Sequence, residues 1–164
     1  MKSHSVGKVA SRVLELLIQE EPRIVRVVGQ AGSGFTPIIR EILACPSVVH
    51  SSISIENIFF DSQHGLLGWV SNALGLYEGT VATHGKIPPH LLEIIQLRGI
   101  KYLVFDNFHD AFYLPGASKV RMAKDINALL CGCVGLRIIV YQIPEQGDSD
   151  FLGLLDYPVC DIRT

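Results

Sequence analysis

The chain has 164 residues, a length that fits one domain able to bury a core. Hydrophobic residues make up 48% and charged residues 18%, a balance suited to a parallel sheet covered on both faces. The formal net charge of −2 excludes a chain-wide basic footprint for nucleic acid, and no run reaches the ~18 apolar residues of a membrane span. No signal-peptide core is visible near Met1, so a cytoplasmic protein without membrane contact is expected.

The predicted elements alternate. Val6, Val9, Ala10, Val13, Leu14, Leu17 and Ile18 form an apolar stripe at helical spacing, so residues 6–20 read as a helix stopped by Pro22. Residues 23–28 are a strand, apolar at nearly every position. A glycine-rich turn follows, then a helix over 36–43 with Pro37 in its first turn. Residues 48–55 read as a second strand and 59–74 as a helix interrupted by Gly65 and Gly68. The Gly-, Thr- and Pro-containing stretch 75–89 is a loop. Residues 91–98 are a short helix closed by Gly99. Tyr102 to Asp106 is a buried strand ending in a carboxylate, followed by an aromatic-rich loop over 107–117 and a helix over 118–130. Residues 136–141 are a strand, 151–155 one helical turn, and 158–163 a last short strand. Strands alternating with helices imply crossover units, a parallel sheet, and a ligand site at the carboxyl ends of the strands.

The chemistry concentrates at two strand ends. Gly29, Gly34 and Thr36 match the spacing of the phosphate-binding G-x-x-x-x-G-K-[ST] turn, with Gly32 and Ser33 as further small residues. Such a turn aims backbone N–H groups at an anion from a helix N-terminus, and its lysine adds a full positive charge. Here Phe35 stands in the lysine's place. Losing one charge-assisted hydrogen bond, about 1.5–3 kcal/mol, weakens nucleotide roughly 10- to 150-fold. Thr36 keeps a hydroxyl able to face magnesium. A tight strand-to-helix turn that binds nothing is the plainer reading of the same residues.

Asp106 occupies the strand-end position from which an aspartate holds magnesium, where the next acidic residue polarises the attacking water. The next residue here is Asn107, and an amide cannot accept that proton. Asp106 also reads simply as a carboxylate capping its loop. His109 lies between Asp106 and Asp110, but a metal needs three or four ligands of suitable geometry, so it reads as a loop histidine and no metal site is expected. Cys45, Cys131, Cys133 and Cys160 read as ordinary reduced thiols, since C-x-C is not the usual C-x₂-C metal spacing. Phe105, Phe108, Phe112 and Tyr113 form an aromatic cluster that either packs beneath its own loop or, if exposed, stacks on a base or anchors a partner.

The run Asp106-Asn107-Phe108-His109-Asp110-Ala111-Phe112-Tyr113-Leu114-Pro115-Gly116-Ala117-Ser118-Lys119, then Asn127-Ala128-Leu129-Leu130 and Leu136-Arg137-Ile138-Ile139-Val140, resembles the Walker B region of TniB/TnsC-type transposition ATPases of the AAA+ superfamily. With the turn at 29–36 in the matching place, the resemblance covers most of residues 20–145. It implies a three-layer α/β P-loop NTPase-like domain with a five-stranded parallel sheet, order 5-1-4-3-2. It also implies DNA-associated oligomers that recruit a transposase.

The departures agree with one another: Phe35 for the lysine, Asn107 for the glutamate, Tyr141-Gln142 for a glycine-threonine after the sensor strand, and no helical lid after Thr164. The reading is a single domain over 1–164 that acts as a non-catalytic, pseudo-ATPase interaction module of a mobile element. Its candidate nucleotide-facing residues are Gly29, Gly32, Ser33, Gly34, Phe35, Thr36, Asp106 and Asn107, with no bound cofactor expected and no catalytic residue named. The alternatives are a genuine Mg-ATP-binding protein, weak or completed by a neighbouring subunit's basic residue, and a degenerate nucleic-acid adaptor. A protein partner or self-association is expected. DNA contact is expected to be weak or indirect, because of the cations on the helix at 118–130 only Arg121 and Lys124 share a face.

Overall fold

The computed structural model describes residues 2–29, 35–55, 65–76, 85–106, 108, 116–142 and 151–164, with only the backbone for residues 2–5 and 35. The elements run α1 (Lys2–Leu17), β1 (Ile24–Val28), α2 (Phe35–Ala44), α3 (Pro46–Val49), β2 (Ser52–Ile55), α4 (Gly65–Ala73), α5 (Pro89–Leu97), β3 (Tyr102–Phe105), α6 (Gly116–Gly132), β4 (Arg137–Gln142) and β5 (Val159–Arg163). The five strands form one sheet, β2-β3-β4-β1-β5, with every pair parallel. That is the expected order 5-1-4-3-2 read from the other edge.

Alternation along the strands builds three layers. Val25 and Val27 of β1, Val104 of β3, and Ile139 and Tyr141 of β4 pack against Val9, Val13 and Leu17 of α1 and Ile38 and Ile42 of α2. Ile24 of β1, Leu103 and Phe105 of β3, and Ile138 and Val140 of β4 pack on the other face against α4, α5 and α6. Both faces being covered is what allows β1 and β3 to be buried at every position.

Two boundaries differ from expectation for identifiable reasons. The strand expected from residue 48 begins only at Ser52, because Pro46 starts a short helical turn. Pro46 has no N–H for a sheet ladder and a φ suited to a first helical position. Cys45 stands extended before it, and its carbonyl accepts from Val48 N–H at 2.9 Å and Val49 N–H at 3.0 Å. Helix α1 spans Lys2–Leu17, so it stops short of Glu20, and Ile18 is 81% exposed. Of the helix expected over 59–74, residues 59–64 lie outside the described residues and α4 supplies the remainder. At the end of α5, Gly99 takes φ +61°, and Ile100 N–H closes back on Ile95 O at 3.0 Å.

Candidate functional site at the carboxyl edge of the sheet

The parallel register sets the ends of β1, β4 and β3 side by side. Val28 pairs with Gln142, and Phe105 with Val140. Gly29, one residue beyond β1, is held by β4 through both of its backbone groups. Its N–H donates to Gln142 O at 3.1 Å, and its carbonyl accepts from the Tyr141 hydroxyl at 3.4 Å. The start of the glycine turn is therefore fixed by a neighbouring strand. Helix α2 opens at Phe35 and carries Thr36 exposed in its first turn. Gly32, Ser33 and Gly34 lie outside the described residues, as does the Phe35 side chain.

Asp106 follows β3 directly, half-buried, with its backbone N–H on Ile55 O at 3.2 Å. β4 lies between β3 and β1, so Asp106 and Gly29 flank one intervening strand at the carboxyl edge of the sheet. Asn107, His109, Asp110, Phe112 and Tyr113 lie outside the described residues. Phe105 and Phe108 are described, and both are core residues, 0% and 2% exposed. Phe108 stacks edge-on to Phe105 at 5.6 Å and to Phe151 at 5.9 Å. For these two rings the packing reading holds, and Phe108 is removed from any partner-binding surface.

The sequence reading passed over Arg26, which is 8% exposed in the middle of β1, between β4 and the edge strand β5. Its register partner on β5 is Asp161. Arg26 Nε donates to Asp161 Oδ1 at 2.7 Å and Arg26 NH2 to Oδ2 at 2.5 Å, a bidentate pair. Arg26 NH1 donates to Gln142 Oε1 at 3.0 Å. This fixes the amide's orientation and leaves the buried Gln142 Nε2 without a partner. Arg26 lies toward the α6 side, where it borders a cavity of about 10 Å³ among Ile24, Phe108, Ile126, Val140 and Phe151. A drug-sized ligand pocket occupies about 300–1,000 Å³, so this space is a packing gap.

An α2 N-terminus can offer N–H groups, but Phe35 supplies no cation there. Arg26 does not replace it, because its guanidinium is bound to Asp161 on the face of the sheet opposite α2. Among the described residues no three His, Cys, Asp or Glu side chains cluster as a metal site, and no helix is long and apolar enough to cross a membrane.

No family model matches the sequence, and no curated protein does. Solved structures do share the fold. A Walker-type ATPase of Pyrococcus abyssi superposes with a TM-score of 0.62 at 14% identity, over 95% of this chain and 52% of its own. The DExH-box NTPase HrpB of E. coli gives a TM-score of 0.51 at 14% identity, over 97% of this chain and 21% of its own. A Pif1 helicase described as unwinding forked duplex DNA gives 0.50 at 12% identity, over 96% of this chain and 43% of its own. The chain thus spans about half the length of the Pyrococcus ATPase and less of the others. Its fold is that of P-loop NTPases.

Proposed function

We propose that the chain is a pseudo-ATPase module: a P-loop framework that keeps the architecture of a nucleotide site without the groups that hold and cleave nucleotide. The observation that carries this reading is Phe35 at the opening of α2, in the place of the phosphate-binding lysine. Asn107, directly after the strand-end Asp106, cannot serve as the base that activates water. Arg26 is committed to Asp161 and supplies no replacement charge. Such a module acts through its shape, by binding a protein partner or a second copy, in the manner of a relative of TniB/TnsC-type transposition proteins. The resemblance of residues 102–140 to that group supports the assignment.

Phosphate-release measurements with Mg-ATP test the catalytic half of this reading. The wild type and the Phe35→Lys variant should both show no turnover above background, since the lysine restores affinity but not a base. The Phe35→Lys/Asn107→Glu double variant is the one in which turnover should first appear. Steady turnover by the wild type would overturn the reading.

A second reading keeps Mg-ATP as a weak ligand. Thr36 exposed in the first turn of α2 and Asp106 at the end of β3 favour it, as the two positions from which magnesium would be held. When bound, magnesium would neutralise phosphate charge there. Light scattering with and without Mg-ATP separates the readings: assembly independent of nucleotide fits a shape-based module, and assembly only with nucleotide fits the second.

A further inference from the structure

The sheet is parallel throughout, so all five strands enter it from one edge, the end away from Gly29 and Asp106. Among the described large apolar side chains three are nearly bare: Val134 is 98% exposed, Leu97 86% and Ile18 81%. All three lie in connections that enter neighbouring strands at this amino edge. Leu97 ends α5 before β3, Val134 follows α6 before β4, and Ile18 follows α1 before β1. Apolar residues scattered singly over a surface are ordinary. These three are gathered by Arg137, the first residue of β4. Its NH1 donates to Gly135 O at 3.3 Å, beside Val134, and its NH2 donates to Gln19 O, beside Ile18. Its backbone N–H donates to Lys101 O at 2.8 Å, and Ile100 N–H on Ile95 O at 3.0 Å closes the turn that joins Leu97 to Lys101. Arg23 NH2 donates to Cys133 O at 2.7 Å on the other side of Val134. A surface fixed in this way loses little freedom when it is covered.

Charge grades along the same edge. Arg98 and Lys101 are exposed where the chain enters β3, and Glu20 and Glu21 where it enters β1, with Val134 at β4 between them. Among the described residues none of these four takes part in an ion pair, unlike Arg12 with Glu15 and Arg26 with Asp161. A row that runs from basic through apolar to acidic is complementary to itself after a half turn about its middle. That is the property an isologous contact between two copies requires. An anionic lipid surface, by contrast, would meet Glu20 and Glu21 with like charge.

We propose that the amino edge of the sheet is a homodimer interface, on which a second copy docks about a two-fold axis at Val134. Leu97 then meets Ile18 of the second copy, and Arg98 and Lys101 meet Glu20 and Glu21 of the second copy. The inference rests on the reading that the module works by binding protein, and it specifies the surface that binds. A patch that pairs with itself is consumed in the dimer, so assembly closes at two copies. The glycine turn and Asp106 lie at the opposite edge and take no part, so the contact does not depend on nucleotide.

Sedimentation velocity of the full chain between about 1 and 100 μM tests this, the span over which a small interface dissociates. The wild type should be a dimer at the upper end, equally with and without Mg-ATP. Val134→Glu sets two like charges at the axis in place of apolar contact and should weaken the dimer at least about 100-fold. Because Val134 is almost wholly exposed, its own fold should be unchanged by circular dichroism. Glu20→Lys/Glu21→Lys and Arg98→Glu/Lys101→Glu should each be monomeric alone and should dimerise when mixed in equal amounts, since each repels itself and attracts the other. A monomeric wild type would overturn the proposal. So would a dimer unaltered by Val134→Glu, species larger than a dimer, or assembly that requires Mg-ATP. Co-sedimentation of the wild type, but not Val134→Glu, with phosphatidylserine vesicles would assign the edge to lipid and overturn it likewise. Because the readout is sedimentation, turnover of Mg-ATP by the wild type bears on the pseudo-ATPase reading and not on this surface.

Discussion

The two faces of the sheet differ although the same strands build both. On the α1–α2 face β1 presents Val25 and Val27, and the packing around them is aliphatic apart from Tyr102 and Tyr141. On the α6 face it presents Ile24 and then Arg26, whose charge is answered by Asp161 on the edge strand β5 and by the Gln142 amide on β4. The face that carries the glycine turn's helix is held by burial. The face behind it is held partly by a half-buried ion pair, which favours one arrangement of β5 because that register brings Asp161 to Arg26. A hydrophobic face tolerates repacking, whereas a buried charge penalises every arrangement that leaves it alone.

The largest effect should come from breaking the pair on one side. Asp161→Ala removes the bidentate carboxylate from the buried Arg26 guanidinium and should cost about 1–3 kcal/mol in urea unfolding, less than a fully buried pair because the Asp161 side chain is 37% exposed. The Arg26→Met/Asp161→Leu double variant should recover most of that loss, since an apolar pair of similar volume removes the desolvation cost. A double variant as unstable as Asp161→Ala would mean the pair matters for some reason other than charge burial.

On the opposite face, Val27→Ala should cost about 2 kcal/mol, from lost apolar burial plus a small cavity. Gln142→Met should change stability by less than about 1 kcal/mol. It removes an acceptor from Arg26, but it also removes a buried unpaired donor that is itself costly.

The cysteines sharpen the same contrast through reactivity. Cys45, packed at the margin of the α1–α2 face, has its thiol pKa lowered by hydrogen bonds from the Ser47 hydroxyl and backbone. Burial raises that of Cys133 on the α6 face, against a weaker opposing pull from Arg23. The thiolate is the nucleophile. At neutral pH iodoacetamide should therefore modify Cys45 before Cys133, as peptide mapping over time would read. Ser47→Ala should shift the pH profile of Cys45 alkylation upward.

Much of the fold was legible because β1, β3 and β4 are short apolar runs separated by helical stripes, a pattern that a parallel sheet covered on both faces requires. The start of β2 was misplaced because Val48 and Val49 look like strand residues and the effect of Pro46 two positions earlier was overlooked. In the candidate site, Gly29 and Asp106 were singled out from local spacing. The clamp on Gly29 by Tyr141 and Gln142 was not, because it depends on the residue register between β1 and β4, with Tyr141 112 residues from Gly29 in the chain. Arg26 did carry a signal: an arginine inside an otherwise buried strand needs a counter-charge, and Asp161 sits in a second strand of the same class.

The pseudo-ATPase assignment is tested most directly by the thermal stability of the wild type and Phe35→Lys proteins with and without about 1 mM Mg-ATP, because a ligand stabilises the state it binds by RT ln(1 + [L]/Kd). The expected result is no shift for the wild type and a measurable upward shift for Phe35→Lys. A wild-type shift equal to or larger than the variant's would show that the turn grips nucleotide without its lysine, and would contradict the account.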